Sequence, residues 1–215
     1  MTDRMQDRAF FHVAILVVLS LTVCGLAQTG FTFPGPTPSN GQGRITQNGL
    51  ILENDAIACT WSIREGRLRL ARIEDKLSGT TLDLKDAECF QLVLSNERLL
   101  KSSDLKIVGA PQMVNLEPDQ TSCRLAERFG GKQITVMLSS ADNDLSVLWY
   151  GILRDGSNYV RQEVLLAAKD RPIEIAEIVM LELAVPHAEV AGIVDGSPVV
   201  AGNLFFAYEY PLATS

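Results

Sequence analysis

Histidine is nearly absent from the chain, with His12 and His187 the two in 215 residues. General acid–base work on a sugar ring takes two groups, most often histidines, and a lone downstream histidine cannot fill both roles, which disfavours epimerase chemistry. The four cysteines form no C-x-x-C pair and no metal-ligand spacing, which argues against zinc and redox motifs. No basic run exists, and the formal net charge is −7, so binding to a phosphate backbone is not expected. The G-x-S-x-G nucleophile elbow is missing as well. No cofactor and no metal are implied.

One long apolar run is present, from Ala9 to Val23, preceded by Arg4 and Arg8 and followed by Gly25-Leu26-Ala27. This reads as an export signal over residues 1–27. The 19 residues from Ala9 to Ala27 are also just long enough for an uncleaved membrane anchor, and Leu21-Thr22-Val23-Cys24 offers a lipoprotein signal as a third alternative. The location expected is therefore exported: periplasmic, extracellular or attached to the envelope, with membrane contact only through residues 9–27 if they are retained. Removing 27 of the 215 residues leaves 188 and three cysteines, Cys59, Cys89 and Cys123, enough chain for one domain. A single disulfide, Cys59–Cys123 or Cys89–Cys123, and three buried thiols are the alternatives.

Residues 28–44 hold Pro34, Pro36 and Pro38 among four glycines and read as a linker. The domain is expected over residues 45–215. There, segments of period 2 alternate with turn residues: Ala56 to Arg64, Arg67 to Glu74, Cys89 to Leu94, Leu105 to Val108, Met113 to Leu116, Cys123 to Phe129, Ile134 to Leu138, Leu145 to Arg154, Tyr159 to Ala168, Ile173 to Leu183 and Leu204 to Glu209. Gly130-Gly131 reads as a tight hairpin. No segment has a convincing helical period. About a dozen strands that each bury one face specify an all-β fold, a large antiparallel β-sandwich.

Several stretches carry a family resemblance: Leu52-Glu53-Asn54-Asp55, Trp61, the turn from Glu74 to Gly79, Leu145 to Tyr150, the hairpin Arg154 to Tyr159, and Gly196-Ser197-Pro198 through Tyr210-Pro211. Together they resemble the N-terminal domain of secreted glycoside hydrolases of the α-galactosidase and raffinose-synthase kind. The resemblance implies a galactose-mutarotase-like supersandwich preceding a catalytic β/α barrel that carries the paired carboxylates. A barrel needs about 250 further residues, so the expectation is the leading portion of such an enzyme, silent by itself. Its partners would be carbohydrate, a catalytic barrel domain, or both. A stand-alone exported binding or adhesion module is the alternative.

Sugar recognition calls for aromatic faces beside carboxylates and amides, because a sugar presents both C–H and hydroxyl surfaces. Trp61 and Trp149 share parity with apolar neighbours and read as core. Tyr159, Arg161 and Glu163 fall on one face of a strand, either a sugar-facing patch or a solvated face. Asp195, Glu209 and Tyr210 lie in and after the Gly/Pro loop, which the resemblance directs toward the barrel. His187, Ser197, the Asp142-Asn143-Asp144 turn and the Asp155-Gly156-Ser157-Asn158 turn read as ordinary loop residues.

Overall fold

The computed structural model describes residues 36–209, and from Thr37 onward these belong to one compact unit. The signal or anchor expected at 1–27, the first part of the linker and Tyr210 lie outside the described residues. Strand is the dominant element, and the fold is an all-β antiparallel sandwich. Its first sheet is a five-stranded meander of β1 (Gln42–Thr46), β2 (Gly49–Glu53), β3 (Ile57–Arg64), β4 (Arg67–Asp75) and β5 (Thr80–Ala87), paired in sequence order. The hairpin between β3 and β4 turns through Glu65 and Gly66, both at positive φ, as a two-residue hairpin of the favoured twist requires.

After β6 (Gln91–Leu94), β7 (Leu99–Lys101), β8 (Lys106–Ile107) and β9 (Gln112–Leu116) comes the second large sheet. Its centre is β10 (Gly131–Ser139), β11 (Leu145–Arg154) and β12 (Arg161–Ala168), with β8 and β9 both pairing the far side of β10. Strand β13 (Ile175–Val179) joins β6 and β7 in a third sheet, and β14 (Glu189–Val190), β15 (Val199–Ala201) and β16 (Leu204–Phe206) make a fourth.

Alternation along each strand sends one set of side chains inward. From the first sheet come Leu50, Leu52, Cys59, Trp61, Leu68, Leu70 and Ile73; from the second, Ile134, Val136, Leu138, Leu145, Val147, Trp149 and Leu153. At the centre Trp61 and Trp149 meet edge to face, with ring centroids 5.0 Å apart and planes at 71°. Both indole N–H groups donate to one acceptor, Gln162 Oε1, each at 3.2 Å. Gly151 makes room for this pair, since a Cβ there would lie 2.7 Å from the Trp149 ring.

The structure corrects several sequence readings. Cys123 to Phe129 is no strand: Leu125–Arg128 is a 3-10 turn. The parity of Cys123, Leu125 and Phe129 imitates a strand, but the segment bonds to itself, with Asp119 N–H donating to Glu127 O at 2.8 Å. Gly130-Gly131 is no hairpin. Gly131 opens β10 opposite Arg154, where a Cβ would meet Leu153 O at 2.4 Å, so close strand approach is what demands glycine. Strand β1 begins at Gln42, inside the expected linker.

Residues 39–41 are also tied down. Ser39 N–H donates to Asp55 Oδ1 at 2.7 Å, and Gly41 N–H to Asp155 Oδ1 at 2.8 Å. That backbone donor is the leading cause holding the Asp55 carboxyl below its ordinary pKa. Buried Asn54 joins the same corner: its amide donates to Ser157 O at 2.7 Å and Ser39 O at 3.3 Å, and its oxygen accepts from Ala56 N–H and Ile57 N–H. Asn54→Ala is expected to cost about 2 kcal/mol, measured by chemical denaturation, because it removes four bonds to three chain segments and strands the buried Ala56 N–H.

Neither disulfide alternative is formed: all three cysteines are free, but only Cys59 and Cys89 are buried, and Cys123, in the loop before β10, is exposed and not the third buried thiol expected. Burial pushes the Cys59 thiol up to about 12 and Cys89 upward also, so neither is a nucleophile.

Candidate functional site

Because Gln162 points into the core, its neighbours Arg161 and Glu163 face outward from β12. The register places Arg161 opposite Ile152 and Glu163 opposite Tyr150, while Gln133 on β10 lies opposite Ile152. A row of Gln133, Ile152 and Arg161 thus crosses three strands on the face away from the core. The loop before β10 folds back over this row. Arg124, Ala126 and Glu127 of that loop, with Tyr159 and Arg154, complete a cavity of about 180 Å³.

Local bonds hold the loop in this shape. Arg128 Nε donates to Ser122 O at 3.0 Å and Gln120 Nε2 to Arg128 O at 3.0 Å. Arg154 Nη1 anchors its end by donating to Phe129 O at 2.8 Å.

Arg161 is the most shielded charge here, its side chain 17% exposed. Its Nη2 lies 2.7 Å from Glu163 Oε1 and 3.4 Å from Glu209 Oε2. Arg124 Nη1 lies 3.4 Å from Glu127 and 4.0 Å from Glu163. The Ser122 hydroxyl, then the Arg124 guanidinium, holds the Glu127 carboxyl below its ordinary range. Each of these pairs has an exposed member, so the network orients the groups more than it stabilises the fold.

Three of the expected site residues, Tyr159, Arg161 and Glu163, line one cavity, and Glu209 reaches it through Arg161. Asp195 does not line it. That residue is exposed in the turn between β14 and β15, where Ser197 Oγ donates to Val194 O at 2.7 Å. Tyr210 falls outside the described residues. Sequence reading missed Arg124, Glu127, Gln133 and Arg154. The one signal for the loop pair was the run of turn formers from Pro118 to Ser122, which argues against a continuing strand.

Chemically, the cavity is lined by Arg124, Arg154 and Arg161 and by Glu127 and Glu163, with Glu209 meeting Arg161 from outside the lining, and it adds Tyr159, an aromatic residue that is 44% exposed. Donors, acceptors and an apolar face are present together, and each carboxylate lies against a guanidinium. Glu127, kept ionised, is an acceptor and not a general acid. His187 is exposed, at positive φ in a separate loop. Among the described residues no group of three or more His, Cys, Asp or Glu is placed to hold a metal ion, and no helix is long and apolar enough to cross a membrane. The chain matches no protein-family model, no curated protein and no solved structure.

Proposed function

We propose that this chain is a carbohydrate-associated β-sandwich domain, galactose-mutarotase-like in architecture and non-catalytic by itself, from the N-terminal side of an exported glycoside hydrolase. The observation that carries this reading is the cavity that Tyr159 lines together with the Arg161–Glu163 pair. A neutral sugar has hydroxyls for guanidinium and carboxylate groups and C–H faces for an aromatic ring, and it needs no net charge from its site. The cavity is small against the roughly 300–1,000 Å³ of common ligand sites, which suits a single terminal ring.

Glycosidic hydrolysis needs one protonated carboxyl beside an ionised one. In this cavity Glu127 is held ionised and Glu163 contacts Arg161 at 2.7 Å, which supports binding without turnover. A feature of the same face favours a leading domain over a self-contained adhesion module. Met137, Leu148 and Leu165 lie side by side on β10, β11 and β12, with Met137 45% and Leu165 58% exposed. An uncovered apolar row of this kind suits a docked neighbour.

Calorimetric titration of the purified chain with methyl galactosides and raffinose tests the reading, alongside assays on aryl-galactosides and aryl-glucosides. Saturable binding near a Kd of about 1 mM, with no turnover, is expected. Hydrolysis of either aryl glycoside, or no binding of any of these sugars, overturns it.

A further inference from the structure

The first sheet carries a second open depression, of about 270 Å³, on the face away from the core. Two irregularities on either side of Arg72 create it. Against β3, Ala71 is an extra residue, because Trp61 pairs with Leu70 and Thr60 with Arg72. Against β5 the pairing jumps from Leu70–Ala87 to Arg72–Asp83, so Leu84, Lys85 and Asp86 bulge from the ladder. Lys85 and Asp86 are both held at positive φ, 49° and 66°, a conformation L side chains avoid and which clusters where a backbone is shaped for a ligand.

The charges in this depression are unevenly matched. Asp86 is saturated, with Oδ1 accepting from Ser62 Oγ at 2.6 Å and Oδ2 lying 2.7 Å from Arg64 Nη1. Asp83 Oδ1 accepts the Lys85 backbone N–H at 3.1 Å. The side chains of Arg72 and Lys85 have no hydrogen-bond or ion-pair partner among the described residues. With Arg64, Arg72 and Lys85 set against Asp83 and Asp86, the depression is net positive on a chain whose formal net charge is −7.

We propose that this depression, which Thr60 also lines, is a binding site for a carboxylate held by the Arg72 guanidinium and the Lys85 ammonium. The carboxylate is carried by an acidic saccharide or arrives as a free small acid. An arginine fork matches the two carboxylate oxygens, and a flanking lysine adds charge without demanding a fixed geometry. The site is on the other large sheet from the Arg161 cavity and rests on two cations without a carboxylate partner among the described residues, so it stands independently of the proposed function.

The test is NMR titration of the purified chain, following Arg72 Nε–H and the backbone amides of residues 83–86. Sodium galacturonate, sodium acetate and methyl galactoside are the probes. Galacturonate and acetate are expected to shift these signals saturably, and the neutral galactoside is not. Tighter binding of galacturonate than acetate assigns the site to an acidic sugar, and equal affinity assigns it to the carboxylate alone. Arg72→Gln is expected to weaken binding about tenfold or more, whereas Asp83→Asn, which removes a competing carboxylate, tightens it. No shift with either acid, an equal shift with the galactoside, or unchanged affinity in a folded Arg72→Gln variant overturns the proposal.

Discussion

Replacing Gln162 with methionine is expected to lower stability by about 2–5 kcal/mol, although the substitution barely changes shape. Two fully buried indoles, Trp61 and Trp149, depend on the one oxygen that Gln162 supplies. A thioether in its place leaves both N–H donors without an acceptor inside the core, and each stranded donor costs about 1–3 kcal/mol. Solvent reaches the half-buried position 162 and relieves part of this, which is why the range stops short of the upper end of the sum. Equilibrium unfolding in urea, followed by tryptophan fluorescence, measures the loss. A change below about 1 kcal/mol would show that water satisfies both indoles and that the amide is dispensable.

Glu88→Ala is expected to lower stability by about 3 kcal/mol, because it strands two buried hydroxyls and unpairs a half-buried arginine. One carboxylate gathers four donors. Arg69 Nη1 approaches Oε1 at 3.0 Å, Ser103 Oγ donates to Oε1 at 2.8 Å, and Ser102 Oγ and Ser103 N–H donate to Oε2 at 2.8 and 2.9 Å. Ser102 Oγ in turn accepts the Cys89 N–H at 2.9 Å, and Arg67 Nη1 donates to Ser103 O at 2.6 Å. The carboxylate therefore fastens the Ser102–Asp104 turn to β4. Its removal strands the buried hydroxyls of Ser102 and Ser103 and unpairs Arg69. Glu88→Gln keeps the shape and part of the bonding and is expected to cost less than half as much. Equal losses in the two variants would place the effect in packing and not in the hydrogen bonds.

Much of this architecture was legible because a two-sheet sandwich imposes period 2 on its central strands. Leu145–Arg154 follows its predicted bounds, and Trp61 and Trp149 are core as their parity requires. Strand β5 was not foreseen, since Leu84-Lys85-Asp86 departs from regular pairing and its alternation breaks before Ala87. Strand β7 is three residues long, too short for a pattern to declare itself. The loop at 123–129 misled because Leu125 and Phe129 have strand parity but remain 68% and 48% exposed.

The same logic divides the candidate site. Arg161 and Glu163 share a face of β12 by local geometry, so the sequence alone can group them. Tyr159 was expected on the same strand but stands in the turn two residues before it, bonded to Ser157. Arg124 and Glu127 join them only because a self-bonded loop turns back over β10, a tertiary event that no local period encodes. Asp195 was grouped with Glu209 by nearness to one loop, yet only Glu209 contacts Arg161.

The central claim is that the Arg161 cavity holds a neutral sugar against Tyr159. Its most direct test is NMR titration of methyl galactoside into the wild-type chain and into Arg161→Met and Tyr159→Ala. Both substitutions lie on the outer face and leave the Trp61–Trp149 core intact. The account predicts a saturable shift of the Tyr159 ring signals in the wild type and at least about tenfold weaker binding in each variant. Unchanged affinity in both variants, or ligand-induced shifts confined to another surface, would contradict it.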